Sequence, residues 1–375
     1  MPAPVGLVLS GGGARAAYQV GVLSALTDRV PSLNFPILTG VSAGAINTLS
    51  LAAHPGSFAD AVAALHAEWS RLTPDRVFRV RPTRLGRMVL KRLVHTALGR
   101  RAEPATVRGL LDMEPLRKFL AGSLATAGLE ANLEAGRLRA VALTATSYSS
   151  GDTVTFVQSV PGIPTWERAR RRAARTTLTI EHVLASSAIP VLFPAVRLGD
   201  EFFGDGSIRQ TAPLSPAVHL GARAVVAIAM QTRRPAVIPN PEPVYPSAAE
   251  ALGIVLNSIF LQALDADAER LARINRLLEV LPSDVHPPDL LGHVDLLMLH
   301  PSQDLGGLAA GHIGALPRTV RLVVESLGGH RLKASDFLSY LLFEPAYTTQ
   351  LIELGYADVI RDWPRIARFL ESAGF

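Results

Sequence analysis

The sequence predicts an α/β fold with a mostly parallel sheet. An apolar segment of strand length at residues 5–10 precedes residues 14–28, whose apolar positions have helical spacing. The same order, a short apolar strand and then a helix, recurs at residues 36–40 and 44–53. Further apolar runs of strand length follow, the clearest at residues 222–230. Strands that alternate with helices in this way form parallel sheets covered by helices.

The composition is that of a folded protein. Apolar residues make up 48% of the 375 residues and charged residues 18%, which excludes intrinsic disorder and a coiled coil. No apolar run approaches the roughly 18 residues of a membrane-spanning helix, and the N-terminus lacks the basic region of a signal peptide, so we expect a cytoplasmic protein. Cysteine is absent, which excludes disulfides, thiolate zinc sites and a cysteine nucleophile.

The later elements also follow from periodicity and from the prolines. Residues 231–246 hold five prolines and are predicted to form a loop. The other predicted elements are helices at 58–72, 181–187 and 247–280, strands at 137–147, 153–158, 201–204 and 294–300, and helical structure from 317 onward. We place a core that holds all three motifs described below at residues 1–232. A mostly helical region at residues 233–375 is expected to pack on it.

The first motif is the run Gly11-Gly12-Gly13, between the first strand and the first helix. Glycines let backbone N–H groups approach a ligand closely, and a helix N-terminus adds positive potential. The loop therefore suits a phosphate, or the oxyanion that develops during acyl transfer. Two other interpretations stay open. One is a tight turn without a ligand; the other is a dinucleotide-binding loop, because Gly11-x-Gly13-x-x-Ala16 fits that fingerprint, with Asp28 downstream as a ribose ligand.

The second motif is Gly40-Val-Ser42-Ala-Gly44, again between a strand and a helix. Glycines two residues before and after a serine permit the sharp turn that lifts a nucleophilic hydroxyl out of a sheet. Ser42 is therefore the candidate nucleophile. The alternative is a serine that only caps the following helix.

The third motif, Gly204-Asp205-Gly206, supplies a candidate base. The histidines are poor candidates, since they are scattered and no partner stands at a catalytic or metal-ligand spacing. An α/β-hydrolase would also place its serine after several strands, whereas Ser42 follows the second. Glycines on both sides hold the Asp205 carboxylate in a tight, open turn. By itself this motif fits an ordinary Asp-Gly turn, but beside the other two motifs a catalytic aspartate is the better interpretation.

These three motifs resemble those of the patatin-like phospholipases, in order and in approximate position. Residues 185–194 (ASSAIPVLFP), 209–216 (RQTAPLSP) and 353–356 (ELGY) extend the resemblance. It implies a three-layer α/β/α fold and hydrolysis of lipid acyl esters by a Ser–Asp dyad without histidine, metal or cofactor. It assigns the nucleophile to Ser42, the base to Asp205 and the oxyanion hole to residues 11–13.

Two residues depart from the family pattern. Ala16 stands where the family usually has glycine, and Ser207 stands where it has glycine or alanine. Ala16 is small and lies beyond the oxyanion hole, so we discount it. Ser207 is next to the base and could donate a hydrogen bond to its carboxylate, which would lower the basicity of Asp205.

Two other classes of function remain as alternatives to a lipid acyl hydrolase. A dinucleotide-binding oxidoreductase would use the loop from Gly11 to Ala16, but Asp28 falls near a helix end rather than after a second strand. A non-catalytic lipid-binding adaptor would need neither Ser42 nor Asp205, and both are present.

The arginine-biased N-terminal half favours anionic partners such as lipid head groups or phosphates. We expect lipid acyl esters as partners and no nucleic acid. Arg15, on the first turn of a helix, is expected to bind an anionic head group or to brace the glycine loop, unless it is a solvated surface residue. Residues 76–101 hold nine basic side chains and no acidic one. Within them, Arg84, Arg87 and Lys91 lie opposite an apolar helix face, which predicts docking on an anionic membrane. A basic helix packed on its own domain would give the same pattern.

Overall fold

The computed structural model describes residues 4–80, 109–233, 245, 247–282, 292–315 and 335–375. Its strands are β1 (Val5–Leu9), β2 (Ile37–Val41), β3 (Arg79–Val80), β4 (Leu111–Asp112), β5 (Ala140–Ser147), β6 (Thr153–Ser159), β7 (Glu167–Arg168), β8 (Arg171–Arg175), β9 (Val196–Leu198), β10 (Glu201–Asp205), β11 (Ala224–Ile228) and β12 (Asp295–Leu299).

The helices lie between these strands and after them. They are α1 (Ala17–Arg29), α2 (Ala43–Ala53), α3 (Phe58–Trp69), α4 (Pro74–Val77), α5 (Glu114–Ser123), α6 (Ala127–Glu134), α7 (Ile180–Ser186), α8 (Ser215–His219), α9 (Ala248–Phe260), α10 (Gln262–Glu279), α11 (Leu305–Ala309), α12 (Ser335–Ser339), α13 (Pro345–Arg361) and α14 (Trp363–Ala373). Short 3-10 turns lie at Gly13–Ala16, Gly206–Ile208 and Ala310–Ala315.

The central sheet confirms the predicted α/β architecture. In the described residues its strand order is β12-β11-β1-β2-β5-β6-β8-β7, with β10 paired to β5 and β9 paired to β10. The five strands from β12 to β5 are parallel to their neighbours, whereas β6 and β10 run antiparallel to β5. The strand β12 lies beyond residue 232, so the C-terminal region contributes an edge strand to this sheet.

Helices cover both faces of the sheet. Leu7 and Leu9 of β1 belong to one buried cluster, which also contains apolar side chains of α1, α2, α3 and α13. Val8, between them, belongs to a second cluster with side chains of α8 and α10. Because side chains alternate across a strand, the two clusters lie on opposite faces. The result is a three-layer α/β/α arrangement with a helical C-terminal region, as predicted.

The structure corrects the predicted long helix at residues 247–280. It consists of α9 and α10, which meet at Leu261. The carbonyl of Asn257 accepts the N–H of Leu261, the residue that caps the C-terminus of α9. The strand β8, of sequence RRAAR, was not predicted because it lacks apolar alternation. It lies near the edge of the sheet, where charged side chains are common.

Candidate active site

Ser42 lies in a strained turn between β2 and α2. Its backbone has φ 55° and ψ −128°, a left-handed φ that residues other than glycine rarely adopt. The second glycine of the motif allows this turn to pack tightly, because a Cβ on Gly44 would lie 2.2 Å from the carbonyl oxygen of Leu9. Ser42 is therefore held at the N-terminus of α2, at the carboxyl end of a central parallel strand. This is the geometry expected of a nucleophile elbow.

Two serines at the end of α7 hold the elbow in place. The N–H of Ser42 donates to Ser186 Oγ at 2.9 Å, and Ser186 Oγ in turn donates to the carbonyl of Thr144 at 2.6 Å. Ser187 Oγ donates to the carbonyl of Ser42 at 3.0 Å. The sequence indicated neither role, since a pair of serines carries no periodic or spacing signal. Both backbone groups of the strained residue thus have side-chain partners.

Strand β5 brings Asp205 next to Ser42. The last residue of β2, Val41, pairs with Thr144, and Asp205, the last residue of β10, pairs with Ala145, the next residue of β5. Ser42 and Asp205 are more than 150 residues apart in the chain. They meet because the last residues of β2 and β10 pair with consecutive residues of β5, Thr144 and Ala145.

The Asp205 backbone is fixed on both sides. Its N–H donates to the carbonyl of Ala188 at 2.9 Å, and its carbonyl accepts the hydroxyl of Thr146 at 2.9 Å. The following glycine is required by space, because a Cβ on Gly206 would lie 2.1 Å from the carbonyl oxygen of Thr144. The carboxylate therefore has a defined position beside the elbow.

Burial changes the acidity of Asp205. The residue is fully buried, and this desolvation raises the pKa of its carboxyl group to about 7; the Ser42 hydroxyl and the Ser207 amide and hydroxyl offset part of the rise. Oδ1 accepts the N–H of Ser207 at 2.9 Å. Oδ2 has no partner at hydrogen-bond geometry in the described residues. A carboxylate with a pKa near neutrality is suited to accept a proton from a serine hydroxyl.

The glycine loop faces Ser42. A Cβ on Gly11 would lie 3.0 Å from Ser42 Cβ, so the loop passes directly beside the nucleophile. In the part of the chain that the structure describes, the N–H groups of Gly11, Gly12 and Gly13 donate to no protein acceptor. The next N–H, of Ala14, donates to the carbonyl of Tyr340 at 3.1 Å and anchors the loop. Free N–H groups at this place can stabilise a developing oxyanion.

Arg15 is buried rather than solvated. It is 2% exposed, and its guanidinium donates to Ser339 Oγ at 2.7 Å and to Asp336 Oδ1 at 2.9 Å. It also stacks on Tyr340, 4.4 Å from the ring centre. These contacts favour the bracing role, while binding of a head group by Arg15 stays a prediction.

The other sequence candidates have different positions. Asp28 lies in α1 and accepts the Tyr356 hydroxyl at 3.1 Å, so it does not follow a second strand as a ribose ligand does. No histidine in the described residues hydrogen-bonds Ser42 or Asp205. Within the same residues, no group of three acidic or histidine side chains could hold a metal ion.

The predicted membrane-docking residues Arg84, Arg87 and Lys91 lie outside the described residues. No described helix is both long and apolar enough to cross a bilayer.

The chain is similar to several solved structures and to one family model. No curated protein matches the sequence. A structure of the human GIVD cytosolic phospholipase A2, in complex with a methyl γ-linolenyl fluorophosphonate inhibitor, is 15% identical with a TM-score of 0.45 and matches 99% of this chain. VipD from Legionella pneumophila is 14% identical, with a TM-score of 0.34; the match covers 94% of this chain and 67% of the VipD chain. The type III effector ExoU is 15% identical, with a TM-score of 0.34; the match covers 99% of this chain and 61% of the ExoU chain.

The matches to solved structures cover only part of those proteins, since this chain spans 59% of the human phospholipase chain. The family model described as patatin-like phospholipase matches residues 7–218, more than half of the chain. That range contains the glycine loop, the elbow at Ser42 and the turn at Asp205. The chain belongs to the patatin-like phospholipase family.

Proposed function

We propose that the protein is a lipid acyl hydrolase that uses Ser42 as nucleophile and Asp205 as base. The observation that carries the proposal is the strand pairing along β5. Val41, the residue before Ser42, pairs with Thr144, and Asp205 pairs with the next residue, Ala145. The strained serine and the buried carboxylate therefore lie side by side. Membership of the patatin-like phospholipase family supports the substrate class.

The reaction begins when Ser42 Oγ attacks the ester carbonyl and its proton moves to Asp205. The new C–O bond forms as the carbonyl electrons move to oxygen, and the free N–H groups of residues 11–13 stabilise that oxyanion. The intermediate collapses, and the leaving alcohol takes the proton from Asp205. Water then attacks the acyl-enzyme and Asp205 accepts its proton. The second intermediate collapses as the bond to Ser42 Oγ breaks, the fatty acid leaves, and Ser42 Oγ takes the proton back from Asp205.

The surroundings of the elbow suit an apolar acyl group. A small apolar cavity borders α2 one turn after Ser42 and is lined by Ile46, Trp69, Leu116, Phe119 and Phe343, among others. Burial of methylene groups against such side chains favours binding by about 0.8 kcal/mol per group. The cavity holds only about 20 Å³ and is also lined by Glu68, so these side chains would have to move apart to admit an acyl chain. We propose that the acyl chain enters on this side of Ser42.

Hydrolysis of a short p-nitrophenyl ester and of phospholipid in mixed micelles tests the proposal. Ser42→Ala and Asp205→Asn should each lower kcat by about 10⁴-fold or more while the circular dichroism spectrum stays that of the wild type. The double variant should be no slower than either single variant, because the two residues act as a unit.

The controls separate the alternatives. Glu201→Gln, in the same strand as Asp205 but at its half-exposed start, should retain activity. Substantial turnover by Asp205→Asn would indicate a histidine base, and an inactive wild type that still binds lipid would indicate an adaptor.

A further inference from the structure

The hydroxyl of Ser207 is buried at the active site and has no partner at hydrogen-bond geometry in the described residues, although it lies close enough to the Asp205 carboxylate to lower the pKa of that group. The residue is 7% exposed and lies in the 3-10 turn directly after Asp205. Four buried side-chain polar atoms in the described residues lack a partner, and Ser207 Oγ and Asp205 Oδ2 are two of them. Because an unpartnered buried hydroxyl is unfavourable for folding, its presence calls for an explanation.

The position of the hydroxyl points to the glycine loop. A Cβ built on Gly11 would lie 2.8 Å from Ser207 Oγ and 3.0 Å from Ser42 Cβ. The hydroxyl is therefore adjacent both to Ser42 and to the loop whose N–H groups have no acceptor among the described residues. The ring of Phe260 closes the same space, with Cδ1 2.9 Å from that Cβ position.

Ser207 does not need its hydroxyl to hold the base. Its backbone N–H already donates to Asp205 Oδ1 at 2.9 Å. Glycine or alanine, the residues usual in the family, would keep that bond and would leave no unpartnered oxygen. The hydroxyl is thus an addition to the turn, and it faces the place where negative charge develops during acyl transfer.

We infer that the Ser207 hydroxyl is a further oxyanion donor of this enzyme, and this rests on the hydrolase function proposed above. When Ser42 attacks the carbonyl, Ser207 Oγ–H donates a hydrogen bond to the carbonyl oxygen as it becomes negative. The proton of Ser207 is not transferred, since the proton of Ser42 goes to Asp205. The hydroxyl gains its partner only when the reaction proceeds, which is how a donor lowers a barrier selectively.

Steady-state hydrolysis of a p-nitrophenyl ester by Ser207→Ala and Ser207→Gly tests the inference. We expect kcat to fall about 100-fold in both variants, as for loss of one oxyanion donor in other enzymes, with KM unchanged. Because the Ser207 hydroxyl also lowers the pKa of Asp205, the pH at which activity is half-maximal should move upward in both variants, so kcat is compared on the plateau above that pH. The melting temperature of Ser207→Ala should equal or exceed that of the wild type, because an unpartnered buried hydroxyl is removed.

Ser50→Ala is the matched control, since it removes another buried hydroxyl without a partner, on the helix that follows the elbow. It should leave kcat unchanged. Unchanged kcat in the Ser207 variants would overturn the inference. A shift of the pH profile with an unchanged plateau kcat would mean that the hydroxyl acts only on Asp205, and loss of kcat together with a lower melting temperature would mean a structural role. If the wild type hydrolyses no ester, the proposed function itself fails and this inference fails with it.

Discussion

The guanidinium of Arg15 bonds the carboxylate of Asp336 at 2.9 Å, although 321 residues separate them in the chain. Arg15 lies two residues after Gly13, and the carbonyl of Tyr340, near Asp336, accepts the N–H of Ala14. Residues 336–340 lie beyond the part of the chain that the family model matches. The C-terminal region thus supports the geometry of the N-terminal glycine loop.

Breaking this pair should therefore impair catalysis on every substrate. Asp336→Ala leaves the buried Arg15 guanidinium without a counter-charge, which costs about 3 kcal/mol. Arg15→Ala should cost less through this pair, because the Asp336 side chain is 33% exposed and can be solvated. A displaced loop should lower kcat by about 100-fold on neutral esters as well as on phospholipids. Kinetics on both substrates and thermal melts measure this, with the exposed Arg71→Ala as the charge-matched control. If Arg15 binds an anionic head group instead, the loss will be confined to phospholipid and Asp336→Ala will have no effect.

The pH dependence of activity should reveal the buried base. Since the pKa of Asp205 is raised to about 7, kcat/KM should rise with pH through that value and then level off. Rate measurements from pH 5 to pH 9 check this. A rise that is complete below pH 5 would indicate a carboxylate of ordinary acidity and would contradict the assignment.

The same carboxyl group should make the fold less stable as the pH rises. A folded-state pKa above the unfolded value means that the folded state holds a proton that the unfolded state has lost. Between about pH 4 and pH 7 the free energy of unfolding should therefore fall by about 1.4 kcal/mol per pH unit from this group alone. Urea unfolding of wild type and Asp205→Asn at pH 5 and pH 7 isolates the effect. An equal slope in both proteins would show that Asp205 does not cause it.

Sequence reasoning located the motifs that meet at the candidate site, but it did not identify the residues that hold them in place. The elbow and the Gly-Asp-Gly turn were predictable because their glycines are demanded by local sterics, as at Gly44 and Gly206. The partners of Ser42, Ser186 and Ser187, were assigned no role because they depend on how α7 packs beside β5. The interruption of the predicted long helix at Leu261 also had no signal, since neither glycine nor proline marks it.

Removal of the Ser186 hydroxyl should slow the enzyme without unfolding it. Ser186→Ala deprives the Ser42 N–H of its acceptor and the Thr144 carbonyl of a donor. The cost should be about 1–3 kcal/mol in the free energy of unfolding, with kcat reduced because the strained turn can relax. Urea unfolding and ester kinetics measure the two effects. Wild-type kcat in Ser186→Ala would show that the elbow holds its geometry without this bond.

Docking on anionic membrane through residues 76–101 stays a prediction. Changing Arg84, Arg87 and Lys91 to Glu should weaken co-sedimentation with anionic vesicles, by about 1 kcal/mol per basic residue removed. The binding of the wild type should weaken with added salt. Neutral phosphatidylcholine vesicles serve as the control. Unaltered binding to anionic vesicles at low salt would assign this segment to packing within the protein.

The central claim is that Ser42 is a nucleophile activated by Asp205. Labelling with a fluorophosphonate probe, followed by mass mapping of the modified peptide, tests it most directly. The account predicts a single adduct on Ser42 in the wild type, slower labelling in Asp205→Asn and none in Ser42→Ala. An adduct on another residue, or undiminished labelling of Ser42→Ala, would contradict it.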